Sequence, residues 1–448
     1  MPFEPLRFLH AANIRLDHAI GETYKLPPRV ASIVQDATRA AFERLIGVAL
    51  DRRVDFLLLA GNTFIEAEHS LAARLALLDG LEQLAQESIR VFVLPGVLDP
   101  AEAWRQIPDL PRNVTILDGD SKAPLVFKRD GKSIARIGTS PRLAPRKGPR
   151  ALQRELRSES QRPVPFTIGV LATNEDAEDA RALETWSAGQ ETSYSPHAEN
   201  EPVAGGPRDE VLDAPVDYLA FGGGRARRTF AKRKGIAHDP GAVQGGGPRE
   251  TGPRGGTLVT VESDGTVQCD FIPAASARWE RFSIPVDAAT SRPELLRRCR
   301  GLLEEAQGET SENAWIFEWV LRGSVEALGQ FDEPSCRQFG QELNETAIVP
   351  SAEAAVHNIV LQADPDAVGV CPGDDPLQAD FVEALADRRR SLDSIFARSF
   401  SEMATVDQEW ANRLQTLVSG VEPGAISAQA HRLLRKLFRT AAADGASA

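Results

Sequence analysis

The 448-residue chain is too long for a single hydrophobic core, and its length indicates about three domains. Its 42% hydrophobic and 26% charged residues are ordinary for a globular protein, and no apolar run approaches the length that crosses a bilayer. The net charge of −13 excludes a surface that is basic all over, as in general nucleic-acid binders. Any contact with DNA must therefore be local.

The N-terminal sequence MPFEPLRFLHAANI lacks the basic stretch, apolar core and small-residue cleavage site of a secretory signal. The four cysteines Cys269, Cys299, Cys336 and Cys371 are far apart and form no CxxC pair, which fits a reducing compartment and offers no zinc cage. These features predict a cytoplasmic protein.

The first hundred residues alternate predicted strands and helices. An apolar run at 7–12 precedes a helix whose apolar positions recur every three or four residues from Val30 to Val48. A strand at 56–60, a second helix at 71–81 and a strand at 91–94 follow. Short apolar strands between amphipathic helices predict a buried sheet, with chemistry in the loops that follow the strands.

The remaining chain predicts a second sheet, a smaller domain and a helical tail. Strands are predicted at 114–117, 125–127, 134–138, 166–171, 217–221, 257–262 and 266–272, with an acidic, Ser-, Pro- and Gly-rich surface excursion at 175–215. Residues 276–372 predict an α/β domain with strands at 279–285, 315–321 and 355–361 and helices at 293–306 and 336–343. Residues 373–448 predict amphipathic helices.

Five motifs at the ends of these strands resemble those of calcineurin-like metallophosphoesterases of the SbcD and YhaO type. FLHAANIRLD resembles the family's Asp-x-His motif, with Asn13 and Arg15 at the ligand positions, and GNTFIE resembles Gly-Asp-x-Phe-Asp, with Asn62 replacing the bridging carboxylate. GVLD resembles Gly-Asn-His-Asp, with Val97 and Leu98 replacing the Asn ligand and the supporting His. All three motifs have lost the family's ligand residues.

The remaining motifs show the same loss. Ala172 stands at the His position of a Leu-His-Thr strand end, and Gly223 and Arg225 replace both histidines of a Gly-His-x-His loop in DYLAFGGGRARR. The tract DPGAVQGGGPRETGPRGG resembles the family's Pro-Gly-Ser-Pro loop and the Glu-x-Gly-Pro-Lys-Gly turn after it. Five motifs in the family's order over residues 1–285 indicate common ancestry.

The resemblance implies a four-layer αββα metallophosphoesterase sandwich at 1–275, an α/β capping domain at 276–372 and a helical tail at 373–448. It also implies partnership with an SbcC-like coiled-coil ATPase, with the tail docking on it, and a homodimer formed through helices of the core. Tail helices that fold back on their own domain are an equally good interpretation of the pattern.

The family's Mn²⁺ pair is not expected in this chain. Two cations about 3.5 to 4 Å apart need a bridging carboxylate, which a neutral Asn amide cannot replace. Val97, Ala172 and Gly223 offer no donor, and Arg15 and Arg225 bring positive charge. A displaced single-cation site could draw on His10, Asp17, His18 and Asp99. The simpler interpretation is that His10 lies in a strand, Asp17 caps a turn and Asp99 accepts backbone amides.

Arginine replacements favour an anion in the old metal pocket. If the fold is kept, Arg15 and Arg225 should face each other, with a phosphate between them or with Asp17 and Asp99 as ordinary ion-pair partners. The predicted anion or DNA contacts are Arg15, Arg225, Arg227, Arg228, Lys232, Arg233 and Lys234. The sequence thus predicts a catalytically degenerate scaffold or DNA-positioning subunit. The alternatives are an active metal-dependent exonuclease with an atypical site and a metal-free anion-binding regulatory module.

Overall fold

A computed structural model describes residues 4–16, 18, 20, 26–117, 125–140, 166–172, 216–232, 235–306, 311–346, 349 and 352–363. The chain divides into two compact units. The first holds Met1–Glu280, Glu309–Ile316 and Pro350–Glu353. The second holds Arg281–Gly308, Phe317–Val349 and the described residues from Ala354 on. All five motifs lie in the first unit.

The first sheet is built from apolar strands near both ends of the first unit. It contains β1 (Leu6–Ala11), β2 (Phe56–Ala60), β3 (Arg90–Leu94), β4 (Val114–Ile116), β11 (Gly255–Val261) and β12 (Val267–Pro273), in the order β12-β11-β1-β2-β3-β4. Strands β1 to β4 are parallel, and β11 is antiparallel to both of its neighbours. The strands predicted from the sequence are confirmed to within about two residues.

Two helices cover one face of this sheet. Helix α1 (Pro28–Asp51) begins with proline at its first turn, where no amide donor is needed, and α2 (Leu71–Gln86) begins after Ser70, whose hydroxyl accepts the Ala73 amide. Their apolar stripes bury Phe42, Leu45, Leu77 and Leu81 in one cluster with the sheet. Both predicted helices are confirmed and are longer than the sequence pattern indicated. A short helix α3 (Ala101–Arg105) follows β3.

The second sheet is stacked on the other face of the first. It contains β5 (Leu125–Arg129), β6 (Lys132–Ser140), β7 (Phe166–Ala172), β8 (Tyr218–Gly222), β9 (Arg228–Ala231) and β10 (Ile236–Asp239), in the order β5-β6-β7-β8-β10-β9. Phe8 and Phe56 of the first sheet share a buried cluster with Phe127 and Tyr218 of the second. The predicted pair of stacked sheets is confirmed. The prediction of an outer helical layer on the second sheet concerns residues outside the described ones.

A third sheet and its helices form an α/β arrangement of the predicted kind, most of which lies in the second unit. The sheet β13-β14-β15 is formed by Ala277–Pro285, Ala314–Gly323 and Glu353–Ala363. Helices α4 (Arg292–Ala306), α5 (Val325–Leu328) and α6 (Glu333–Thr346) lie between its strands in the chain. The tail at 373–448 lies outside the described residues. No helix in the described part of the chain is long and apolar enough to span a membrane.

The carboxyl ends of the parallel strands of both sheets approach each other closely. Gly222 ends β8 against the end of β2, and a methyl group in place of its Hα would overlap the Ala60 carbonyl oxygen. Only glycine permits this approach. The loops that follow β1, β2, β3, β8 and β10 therefore meet in one place, and these loops carry the motif residues.

Candidate functional site

The first two motif loops have an unusual backbone. Asn13, Arg15 and Asn62 adopt positive φ angles of 47°, 50° and 54°. Asparagine tolerates this left-handed conformation, while arginine adopts it less readily, at about 1 kcal/mol. Backbone hydrogen bonds hold the loops together, since the Asn13 amide donates to Gly61 at 3.0 Å and the Arg15 amide to Asn62 at 2.9 Å.

Two asparagines form a hydrogen-bonded pair at the positions of metal-binding carboxylates. The Asn62 Nδ2 donates to Asn13 Oδ1 at 2.8 Å, and Asn13 Nδ2 donates to the Gly224 carbonyl at 2.8 Å. The Asn62 Oδ1 accepts the Leu98 amide at 3.1 Å. Both amide oxygens thus already have donors, and the pair joins the loops after β1, β2, β3 and β8.

Arg15 and Arg225 come together on one carboxylate, that of Glu250. Arg15 Nη2 lies 3.0 Å from Oε1 and 2.9 Å from Oε2 of Glu250, and Arg225 Nε lies 3.8 Å from Oε1. Arg15 and Glu250 are buried, whereas the Arg225 side chain is 46% exposed. Burial alone would raise the pKa of Glu250, but Arg15, Arg254 and the Gly246 amide outweigh it and hold this pKa below its usual range.

The proposed partners of these arginines need correction. Asp99 does not pair with either arginine, and Asp17 lies outside the described residues. The partner is Glu250. Its sequence tract, DPGAVQGGGPRETGPRGG, resembles a family motif, but the sequence pattern did not identify Glu250 as a partner of the arginines. The tract stands directly before β11, and β11 pairs with β1. That pairing, which no local pattern reveals, brings Glu250 to the first motif.

Arg254 is a second residue that sequence reasoning missed. Its Nη1 donates to the Arg225 carbonyl and its Nη2 to the Thr251 carbonyl at 3.2 Å. Its Nε is buried and has no hydrogen-bond partner among the described residues. Burial lowers the pKa of Arg254, and Glu250 opposes that shift. Arg254 thus fixes the backbone of the loop that carries Arg225.

Asp99 organises the loops after β2 and β3. Its Oδ1 accepts the Asn62 and Gly96 amides at 2.9 and 2.7 Å, and its Oδ2 accepts the Thr63 amide at 2.8 Å and Trp104 Nε1 at 3.0 Å. Burial raises the pKa of Asp99 to about 6 against the opposing effect of these donors. The interpretation of Asp99 as an acceptor of backbone amides is confirmed.

The described members of the candidate single-cation site do not form a metal-binding group. His10 lies in β1, as the simpler interpretation predicted, and its Nδ1 lies 2.9 Å from the Tyr218 hydroxyl between the two sheets. His18 lies beside Gly246, and Asp99 is saturated by four donors. Among the described residues, no three His, Cys, Asp or Glu side chains are grouped to hold a metal ion. Asp17, the fourth candidate, lies outside the described residues.

The buried histidines make folding sensitive to acid. Burial lowers the pKa of His10 to about 3 and that of His18 to about 4, the latter with a further contribution from Arg15. In the unfolded chain, the same histidines take up protons as the pH falls below their ordinary pKa of about 6.5. The folded chain keeps these imidazoles neutral, so the stabilisation is complete above that pH and is lost as the pH falls toward 3.

Because His10 is protonated only in the unfolded chain, we expect it alone to lower the free energy of unfolding by about 2 kcal/mol when the pH falls from 6.5 to 5. Urea unfolding of the His10→Gln variant at both pH values should show a correspondingly smaller loss than the wild type. His69→Gln, which changes an exposed histidine, serves as control. An equal pH dependence in wild type and His10→Gln would contradict the assignment.

The basic run after Arg225 is partly engaged with the fold. Arg227 donates to the Cys269 carbonyl at 3.0 Å and lies over the Phe271 ring at 5.5 Å. Lys232 donates to the Val216 carbonyl at 3.0 Å, and Arg228 lies near Asp239, which opposes the burial that lowers the pKa of Arg228. Arg233 and Lys234 lie outside the described residues. Part of this charge therefore stabilises the second sheet.

The other motif positions carry no metal-binding side chains. Val97 is 47% exposed and Leu98 is partly buried. Ala172 is the last residue of β7, and Gly223 has a φ of 96°. With both asparagine amides engaged and two arginines present, this donor set does not fit a pair of Mn²⁺ ions.

No protein-family model matches the chain, and two solved structures resemble it at low TM-scores. TT1561 of Thermus thermophilus matches 60% of this chain with 99% of its own, at a TM-score of 0.33 and 10% identity. Vacuolar Protein Sorting 29 from Cryptosporidium parvum also matches 60% of this chain, with 98% of its own, at a TM-score of 0.25 and 15% identity.

The sequence match to a curated protein is more informative. The chain is 26% identical to the uncharacterized metallophosphoesterase YhaO of Bacillus subtilis (strain 168) over 347 residues, which are 75% of this chain and 79% of YhaO. The matched length exceeds that of the motif region at 1–285. The chain is therefore similar to the metallophosphoesterase YhaO over most of its length, and it has an α/β fold with two stacked sheets.

Proposed function

We propose that the chain is a catalytically degenerate homologue of SbcD- and YhaO-type nuclease subunits that acts without metal as a scaffold or DNA-positioning subunit. The observation that carries the proposal is the chemistry at the motif positions. Asn13 and Asn62 bond to each other, and Arg15 is closed onto Glu250. The loops that would surround two cations are thus joined by direct hydrogen bonds and an ion pair.

The direct test combines metal analysis with a nuclease assay. We expect the protein, purified from cells grown with added manganese, to contain far less than one transition-metal ion per chain and to release no nucleotides from DNA in Mn²⁺ buffer. Recovery of close to two manganese ions per chain, with activity that a chelator abolishes, would contradict the proposal.

A variant with restored ligands makes that result informative. It would carry Asn13→Asp, Arg15→His, Asn62→Asp, Val97→Asn, Leu98→His, Ala172→His, Gly223→His and Arg225→His. If this variant gains manganese while the wild type does not, the loss of ligands is the reason for the metal-free state. Metal in the wild type would instead favour the alternative of an active exonuclease or phosphoesterase with an atypical site.

The partners of such a subunit follow from the same proposal. A scaffold of this kind would assemble with an SbcC-like coiled-coil ATPase in the cytoplasm, with residues 373–448 as the docking segment. A homodimer is supported by α2, whose Leu71 and Leu75 are one turn apart and 70% and 59% exposed. Contact with DNA is supported by the arginines around Glu250.

A further inference from the structure

We propose that His10 and His238 form an acid-sensitive switch that holds the two sheets of the first unit together near neutral pH and separates them in acid. His10 lies in β1 of the first sheet and His238 in β10 of the second, and both are fully buried. Their ring centroids are 6.1 Å apart. Two basic groups therefore face each other across the interface between the sheets, where neither is exposed to solvent.

Neutral hydroxyl groups hold this histidine pair in place. His10 Nδ1 lies 2.9 Å from the Tyr218 hydroxyl. His238 Nδ1 and Nε2 each lie 2.8 Å from a threonine hydroxyl, those of Thr229 and Thr257 respectively. A neutral imidazole donates from one nitrogen and accepts at the other, which hydroxyl groups can match. Protonation would make both nitrogens of His238 donors and would place a charge between two hydroxyl groups that cannot neutralise it.

The surroundings of both rings oppose a positive charge. Burial lowers the pKa of His10 to about 3, against the opposing effect of a backbone hydrogen bond with Phe221. Burial also holds the pKa of His238 well below its usual range, and His10 and Arg227 add to that effect. Below pH 6.5 the pair therefore binds protons mainly in a state in which the sheets have separated and water reaches the rings.

The other titratable groups around the pair do not supply a negative charge in acid. Burial raises the pKa of Tyr218 on β8 well above its usual range and that of Cys269 on β12 to about 12, so both stay neutral. Burial raises the pKa of Asp239, at the end of β10, to about 6, and this carboxyl is mostly protonated at pH 5. Because Asp239 takes up its proton in the folded chain, it partly offsets the histidines in the wild type, and variants are needed to isolate their effect.

The first sheet has a second apolar core on its other face, where α1 and α2 pack. His10 follows Phe8 on the face that meets the second sheet, and His238 pairs with Ala220, which belongs to the core between the sheets. Charging the pair therefore weakens the core between the sheets and leaves the helix-covered core unchanged. We expect the second sheet to detach in acid while the first sheet and its two helices stay folded.

Hydrogen–deuterium exchange of the full chain at pH 6.5 and pH 5, each corrected for the intrinsic exchange rate and followed by mass spectrometry, tests the switch. At pH 5, peptides from β8 and β10 of the wild type should lose protection while peptides from α1 and α2 keep theirs. Equal loss of protection in both groups of peptides, or in neither, would overturn the proposal. This wild-type result decides the question even where a variant fails to fold.

Histidine variants assign the pH dependence to the pair. The equilibrium constant for opening of β8 and β10, obtained from the exchange rates, should rise about 15-fold more in the wild type than in His10→Gln or His238→Gln when the pH falls from 6.5 to 5. His18→Gln is the matched control, since His18 also has a lowered pKa, of about 4, but lies beside Gly246 in the motif loops. It should leave the difference between the two groups of peptides unchanged. An opening constant with the same pH dependence in the wild type and in both variants of the pair would overturn the proposal.

Discussion

Replacing Asp99 by asparagine should lower the free energy of unfolding by about 3 to 5 kcal/mol at pH 8. The carboxylate accepts four donors in the wild type. Asparagine keeps one acceptor oxygen, but its Nδ2 group would face the Thr63 amide and the Trp104 indole, which are donors themselves. The Thr63 amide and the Trp104 indole would therefore lose their acceptor.

Chemical denaturation followed by tryptophan fluorescence measures the effect. Asp79→Asn is the control, since Asp79 is exposed and accepts a hydrogen bond from Gln83 on the same helix. It should change stability by less than about 0.5 kcal/mol. A loss below about 1 kcal/mol for Asp99→Asn would show that the buried charge contributes little to these loops.

Breaking the ion pair between Arg15 and Glu250 should have an effect of similar size. Arg15→Met removes the buried guanidinium and leaves the carboxylate with Arg225, Arg254 and the Gly246 amide, at an expected loss of about 3 kcal/mol. Glu250→Gln should also lose about 3 kcal/mol, because a buried charge is left unpaired. The double variant should lose much less than the sum, since it leaves neither charge.

The exposed pair of Arg105 and Glu102 provides the comparison. Its side chains are 43% and 73% exposed, so its coupling energy should stay below about 1 kcal/mol. A coupling between Arg15 and Glu250 that is equally small would show that water reaches the pair.

Local patterns in the sequence account for the fold well but for the site only in part. Strands such as β1 and β2 have continuous apolar runs, and the helices have clear apolar stripes, so both could be predicted. The short strands β9 and β10 were missed, because β9 begins in a basic run and neither strand has an apolar run of its own. The domain boundaries at 275 and 372 remain predictions.

The site depended on contacts that sequence spacing does not encode. Asp99 could be interpreted correctly because its partners lie on neighbouring loops of the motif itself. Glu250 could not, because its contact with Arg15 spans 235 residues and depends on β11 lying beside β1. The binding of an anion by Arg15, Arg225 and the basic run stays a prediction.

The long sequence separation between Arg15 and Glu250 has a consequence for synthesis on the ribosome. The Asn13 contact with Gly224 spans 211 residues, and β1 pairs with a strand that ends at Val261. A nascent chain therefore exposes the edge of β1 and the unpaired Arg15 until more than half of the protein has been translated, about 15 to 50 seconds at ordinary elongation rates. Chaperones that bind exposed strand edges should accordingly associate with nascent chains shorter than about 290 residues and leave longer ones, once the ribosomal tunnel has released β11.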